Sequence, residues 1–231
     1  MRVLIIEDDR LFSQALKLNL SGSGANITLA HSAEDAFELA SIYDFDVLLL
    51  DLGLPDEHGR SLLKRLRARK VQTPVIVISG TSDLSMKVEA LSVGADDYVT
   101  KPFQKEELIA RMAAVVRRAA GHSQSTLQMG PLTLGLDSRR VTVHGRPLHL
   151  TPKEYQLLEL LALRKGSTMT KEMVLNHLYN GLDEPSAKIV DVFVCKLRKK
   201  LAAAGAGDLV QTVWGRGYMV CEPSSQPDMA A

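Results

Sequence analysis

Over the first 120 positions, short apolar runs alternate with segments whose apolar residues recur every three to four positions. Residues 3–6, 27–30, 47–50, 75–78 and 98–100 read as strands, and residues 11–20, 33–42, 59–70, 84–93 and 105–118 as amphipathic helices. Five strands alternating with helices predict a doubly wound α/β domain. The reason is that right-handed crossovers cover both faces of a five-stranded parallel sheet with helices. The polar stretch GHSQST, residues 121–126, has linker composition and ends the pattern.

Beyond it the texture changes. Residues 132–136, 140–143 and 148–150 read as short strands separated by turn signals such as HGRP. Three helices follow: 152–164, opened by Thr151 as N-cap with Glu154 three residues on; 171–178, capped by Thr170; and 186–203. Residues 210–213 and 218–220 flank WGRG, a hairpin signal. Strands, three helices and a terminal hairpin predict a winged helix-turn-helix domain of α+β class. The expected organisation is therefore one domain over 1–120, a linker over 121–126, a second domain over 127–222 and a disordered tail over 223–231.

Composition narrows the class. With 45% hydrophobic and 24% charged residues the 231-residue chain is ordinary for a folded globular protein. No stretch approaches the roughly 20 apolar residues of a membrane span, and the N-terminus runs into acids, so a cytoplasmic protein without membrane contact is expected. Cys195 and Cys221 lack metal or disulfide spacing. The net charge of +1 hides an asymmetry: residues 1–120 carry 15 Lys/Arg against 17 Asp/Glu, and residues 121–231 carry 13 against 10. Lys188, Lys196, Arg198, Lys199 and Lys200 face only Asp191 in one segment, a basic face able to hold a polyanion.

The chemistry lies at strand ends. Glu7, Asp8 and Asp9 follow the first strand and Asp51 follows the third, and in open parallel sheets the functional crevice lies at the carboxyl ends. Converging carboxylates repel unless a cation neutralises them, and a hard divalent ion such as Mg²⁺ suits an all-oxygen site. Ser79 adds a hydroxyl and Lys101 a cation, so a carboxylate nucleophile, a metal, a hydroxyl and an ammonium are together enough to move a phosphoryl group. Each residue alone has a plain structural explanation. Their placement at four strand ends favours a shared site.

IIEDD at 5–9, LLLDLGLPDEHG at 48–59, VISGTS at 77–82 and GADDYVTKPF at 94–103 resemble the receiver domains of two-component systems. That resemblance implies Asp51 as phosphoacceptor. It implies Mg²⁺ held by Asp8, Asp51 and the Gly53 carbonyl, with Glu7 acting through water, and phosphoryl oxygens bound by Ser79 and Lys101. It also implies a cis bond between Lys101 and Pro102, and a switch in which Ser79 moves toward the phosphoryl group while Tyr98 fills the space it leaves. Lys87, Asp96, Asp97, Glu107, Arg111 and Arg118 match positions of cross-subunit ion pairs in a phosphorylation-dependent homodimer. Asp9 matches no functional position and reads as a helix cap.

On a helical wheel Ile189, Val190, Phe193, Val194, Leu197 and Leu201 form a core stripe. Lys188, Asp191, Val192, Cys195, Arg198 and Lys199 form the opposite arc, with Lys196 at its border, and suit a major groove of double-stranded DNA. Arg216 at the hairpin tip is placed for phosphates or a minor groove. LTPKEYQLLELL at 150–161, the stretch 191–201 and TVWGRGY at 212–218 resemble the winged-helix effector domains of the OmpR/PhoB class, and within it LRKG, KEMVLNHLYNG, LDEP, DVFVCKLRKKLA and VWGRGY most resemble the CtrA group of alphaproteobacterial cell-cycle regulators. The resemblance implies a transcription regulator rather than an enzyme. It implies tandem half-sites, a histidine kinase or histidine phosphotransfer protein as phosphodonor, and RNA polymerase contact through residues 179–185. Cys195 and Trp214 depart from the wider class, which often carries arginine at both positions, so base preference does not transfer. Two other classes fit less well: a phosphotransferase with an aspartyl-phosphate intermediate, for which DLG lacks the second aspartate, and an adaptor acting on proteins, which would show no salt-dependent DNA binding.

Overall fold

A computed structural model describes residues 1–22, 25–136, 138–179, 185–207 and 209–221. The chain divides into two compact units, Met1–Gly121 and His122–Ala231. In the first, β1 (Arg2–Ile6), β2 (Asn26–Ala30), β3 (Val47–Asp51), β4 (Val75–Ser79) and β5 (Asp97–Thr100) form one parallel sheet of order β2-β1-β3-β4-β5. Helices α1 (Arg10–Ser21), α2 (Ala33–Ile42), α3 (Gly59–Ala68), α4 (Leu84–Val93) and α5 (Lys105–Ala119) separate or follow the strands.

The strands read as unbroken apolar runs because both faces are covered. Leu4, Ile6, Leu48, Leu50 and Val77 pack with Ala33, Ala36, Leu62, Leu66 and Ala90 on one side. Val3, Ile5, Val47, Leu49 and Ile76 pack with Leu16, Leu20, Leu108, Met112 and Val115 on the other. Asp9 caps α1 as expected, its carboxylate accepting from the Leu11 and Phe12 amides, and Ser32 and Asp83 cap α2 and α4 in the same manner.

The second unit opens with an antiparallel sheet of β6 (Thr126–Met129), β7 (Leu132–Gly135), β8 (Arg140–Val143) and β9 (Arg146–Pro147). Helices α6 (Pro152–Leu163), α7 (Lys171–Tyr179) and α8 (Lys188–Ala203) and the hairpin β10 (Val210–Val213) and β11 (Gly217–Val220) complete it. Their apolar faces meet in a single core that includes Leu134, Leu158, Val174, Val194, Leu197 and Val220. Among the described residues, no helix is long and apolar enough to cross a membrane.

Several element boundaries differ from the sequence expectation, and three of the differences lie in the second unit's DNA-binding elements or its first sheet. β6 was not anticipated: Thr126, assigned to the linker, pairs with Gly135, while Leu127 and Met129 are buried and Thr126 and Gln128 exposed. Its four residues of alternation are too short to stand apart from the polar run that precedes them. The strand expected over 148–150 is instead β9, because His144 and Gly145, at φ 50° and 74°, close a two-residue turn that sets Val143 opposite Arg146. Finally, α8 starts at Lys188 rather than at residue 186. The expected tail at 223–231, and residues 180–184 of the segment expected to meet RNA polymerase, lie outside the described residues.

The capping box on α6 is built as expected. The Thr151 hydroxyl accepts from the Glu154 amide, the Glu154 carboxylate accepts from the Thr151 amide at 2.8 Å, and Lys200 donates to the same oxygen at 2.6 Å. Burial pushes the Glu154 carboxyl up, but Lys200 and the two Thr151 bonds outweigh it and hold the group below its ordinary value of 4.5. A carboxyl lowered on folding contributes stability above its unfolded pKa, and that contribution fades as pH falls through the folded value. Glu154→Gln is therefore expected to cost about 1–2 kcal/mol at neutral pH. Melting temperatures of the second unit measured from neutral pH to below 4 should show the gap to wild type closing on acidification; a constant gap would contradict the charge-based account.

Candidate functional site

The C-terminal ends of β1, β3, β4 and β5 carry Glu7, Asp51, Ser79 and Lys101 to one edge of the sheet. Lys101 Nζ donates to Asp51 Oδ2 at 2.5 Å and to Glu7 Oε2 at 2.7 Å, and its ammonium lies 4.2 Å from the centre of the Phe12 ring. Phe12 in turn meets Phe103 edge to face at 6.3 Å between ring centres. The Lys101–Pro102 bond is cis. The Gly53 amide donates to Asp51 Oδ1 at 3.0 Å. Beneath the acid, α3 starts on a glycine because a Cβ at Gly59 would collide with the Asp51 carbonyl oxygen.

Electrostatics separates the two carboxyls. Burial pushes Glu7 up, and the neighbouring Asp51 charge adds to this, beyond what Lys101 relieves. Burial also pushes Asp51 up, but the Gly53 amide and Lys101 prevail and hold it below its ordinary value. Burial alone would lower Lys101, yet its two carboxylate partners raise it. Of the two carboxyls, Asp51 therefore keeps its charge to lower pH, with the Lys101 ammonium as the shared counterion.

The donors at this edge are all oxygens, which suits a hard divalent cation. Glu7 and Asp51 already share one positive charge, Asp8 is exposed beside them, and Mg²⁺ needs only one or two carboxylates together with a carbonyl and waters. Among the described residues, no three His, Cys, Asp or Glu side chains are gathered as a preformed metal cluster.

Ser79 and Tyr98 converge on a residue that sequence reasoning overlooked. The Thr81 amide donates to Ser79 Oγ at 3.3 Å, and the Tyr98 hydroxyl donates to the Thr81 carbonyl at 3.0 Å. Tyr98 is only 3% exposed, so it already occupies the inward position that the expected switch has it reach later. Asp56 was overlooked too: its carboxylate accepts from the Ala33 and Glu34 amides and ties the loop after Asp51 to the start of α2. Asp56 carried no local signal, since it lies near the start of α3, which His58 caps, and bonds the first turn of α2 instead. Thr81 carried none, because its backbone makes both bonds.

The six residues expected at a dimer interface are only partly available. Arg111 bonds Asp97 at 2.9 Å and Glu107 at 2.9 Å within one chain, and Asp96 accepts from Arg67 at 3.1 Å and from the Val75 amide at 2.8 Å. Lys87 and Arg118 are exposed. Nearby, Leu84, Val88 and Leu91 expose an apolar stripe along α4.

In the second unit α8 buries Val190, Val194, Leu197 and Leu201 and exposes Lys188, Val192, Cys195, Lys196 and Lys199. Trp214 at the hairpin tip is 91% exposed, and Arg216 is exposed beside it. Arg198 departs from expectation. Its guanidinium donates to the Val210 carbonyl at 2.9 Å and to Thr212 Oγ1 at 2.8 Å, and it lies 5.7 Å from the Tyr218 ring centre, so it is turned to the hairpin. A wheel assigns a direction to a helix position and cannot anticipate a neighbour that folds back from 12 residues later.

Comparison with known proteins agrees with this two-part layout. Residues 3–113 match the family described as response regulator receiver domain, and residues 145–220 match transcriptional regulatory protein, C terminal. The chain is 52% identical to the cell cycle transcriptional regulator CtrA of Caulobacter vibrioides over 231 residues, the whole of both chains. It is 52% identical to the cell cycle response regulator CtrA of Brucella anthropi over 227 residues, 98% of each. A CheY-like response regulator receiver domain protein from Methanospirillum hungatei superposes with a TM-score of 0.50 at 26% identity, over 52% of this chain and 96% of that one.

Proposed function

The chain belongs to the two-component response regulators that join a receiver to an OmpR/PhoB-type DNA-binding domain, among the CtrA-like cell-cycle transcriptional regulators, and on that premise we propose that phosphorylation of Asp51 controls its binding to double-stranded DNA. The observation that carries this reading is the Lys101 ammonium held between Asp51 and Glu7. It supplies a charged nucleophile and, beside it, a cation for the incoming phosphoryl oxygens.

In the transfer, an Asp51 carboxylate oxygen forms the new O–P bond as the bond from phosphorus to the donor breaks, and the donor nitrogen or acyl oxygen leaves with the electron pair. A histidine kinase or histidine phosphotransfer protein is the donor. Lys101 follows the charge from the carboxylate to the phosphoryl group, and the Ser79 hydroxyl donates to a phosphoryl oxygen. Asp8, Asp51 and the Gly53 carbonyl, with Glu7 through water, would hold Mg²⁺, which neutralises charge developing on the phosphoryl oxygens.

Ser79 and Tyr98 share Thr81, so a Ser79 hydroxyl turned to the phosphoryl group withdraws an acceptor from the Thr81 amide. The Tyr98 anchor then favours a different β4–α4 loop, and the bias passes to α4, β5 and α5. Homodimerisation on that face exchanges pairs such as Arg111–Asp97 for cross-subunit ones; Lys87, Glu107, Asp96 and Arg118 join it. These exposed pairs set register more than affinity, at about 0–1 kcal/mol each. Two linked effector domains then gain effective concentration on adjacent half-sites. There Lys188, Val192, Cys195, Lys196 and Lys199 face the major groove, and Trp214 and Arg216 lie at its flank. RNA polymerase is the downstream partner.

The test measures oligomeric state and DNA affinity of the full chain and of Asp51→Ala, each with and without Mg²⁺ and a small acyl phosphate. Wild type alone is expected to dimerise and to bind about tenfold more tightly, a gain of roughly 1.4 kcal/mol. Equal, unchanged binding by both proteins would leave a DNA-binding protein without control through Asp51.

A further inference from the structure

Asp191 is the one acid in α8, on an otherwise basic helix. On a helix that meets phosphates, an unneutralised carboxylate opposes binding. Here it is neutralised from two directions. Lys171, the first residue of α7, donates to Asp191 Oδ2 at 2.8 Å, and the Tyr218 hydroxyl of β11 donates to Oδ1. Lys171 first and Tyr218 second hold the Asp191 carboxyl below its ordinary value. Burial and the same carboxylate push the Tyr218 hydroxyl up to about 12, so it stays a donor at any physiological pH.

Tyr218 is fixed from other sides as well. Its amide and carbonyl exchange hydrogen bonds with Met169, at 2.9 and 2.8 Å, just before α7. The adjacent Gly217 sits at φ 142°, where a Cβ would collide with the Met169 carbonyl. Two turns along α8 from Asp191, Arg198 binds the β10 backbone and Thr212 and faces the Tyr218 ring. The hairpin is therefore attached to α8 at two points, while its tip, with Trp214 and Arg216, projects uncovered.

We propose that Asp191, Tyr218 and Arg198 form a clamp that sets the angle between α8 and the β10–β11 hairpin before DNA is met, so that helix and hairpin tip engage one duplex as a single pre-set body. Asp191, Tyr218 and Arg198 are positioning residues in this account, and the contacts themselves belong to the α8 lysines and to Trp214 and Arg216. Pre-setting removes an ordering cost that a loose hairpin would meet on binding. The inference rests on the reading of α8 as the DNA-contacting helix.

The test is a double-mutant cycle on the full chain at fixed salt, using a 30-bp duplex recovered by wild type from a randomised pool. Arg216→Ala is expected to weaken binding about tenfold in wild type, and about twofold or less once Tyr218→Phe has released the hairpin. Asp191→Asn, made in a chain that retains Tyr218, keeps an oxygen acceptor for the tyrosine and should preserve the tenfold response. A tenfold response in Tyr218→Phe as well would overturn the clamp, because mere destabilisation multiplies with the loss of Arg216 and does not mask it. If the pool yields no enriched sequence and binding by wild type does not depend on salt, the DNA reading itself fails, and the clamp with it.

Discussion

Lys101→Ala is expected to slow phosphorylation of Asp51 by a small acyl phosphate about 10²- to 10³-fold, the loss seen when one donor aimed at developing charge is removed. Nζ sits 2.5 Å from the acceptor carboxylate, so no rearrangement is needed before it meets an incoming phosphoryl oxygen. It is also the shared counterion of a buried glutamate and a partly buried aspartate. Without it, the Glu7 carboxyl, already pushed up by burial and by Asp51, is pushed up further.

The effect on stability has a definite sign. Lys101 is raised in the folded state, so its contribution is complete below its ordinary value of 10.5 and is lost only as pH climbs through the folded value. The variant lacks that contribution across the neutral range. It recovers part of the loss on acidification, as the raised Glu7 becomes neutral. Lys101→Arg keeps the charge with a wider, planar head and should fall between the two. Intact-mass time courses with Mg²⁺ and the acyl phosphate give the rate, and melting of the first unit across pH gives the linkage. Phosphorylation of Lys101→Ala within about threefold of wild type would remove Lys101 from the mechanism.

The first unit was legible because its strands are buried on both faces and its helices on one, so local periodicity and tertiary environment agree at nearly every residue. Glu7, Asp51, Ser79 and Lys101 were legible for a related reason: each follows directly on an apolar strand, and a parallel sheet brings such ends together. The features that escaped notice depend on long-range closure. Arg198 reads as a groove-facing cation until β10 and Tyr218 fold over it, and Asp96 reads as a cross-subunit ion-pair partner until Arg67 arrives from α3. β9 shifted because a two-residue turn at His144 and Gly145, not the apolar run after it, decides the pairing. For Arg198 and Asp96 the residue type suited the expected role and a partner distant in sequence decided otherwise, whereas for β9 a local turn did.

Leu197→Ala should destabilise the second unit by about 3 kcal/mol, within the 2–5 kcal/mol usual for a buried leucine truncated to alanine. Leu197 is fully buried on α8, in a core confined to the second unit, whereas the cores that flank the parallel sheet contain only residues of the first. A domain of this size carries a stability on the order of 5–10 kcal/mol and shifts its midpoint by about 4–8 °C per kcal/mol, so the transition of the second unit should fall by roughly 12–24 °C. Most molecules stay folded at 25 °C, where DNA binding persists, but binding is lost on warming well before wild type fails. Asp51 phosphorylation should match wild type at both temperatures, because every group of the pocket belongs to the first unit. Calorimetry alongside DNA binding and phosphorylation separates the outcomes: if the first unit's transition falls by a similar amount, the two units share stability, and control by Asp51 would then have to act through a common fold and not through a surface that phosphorylation alters.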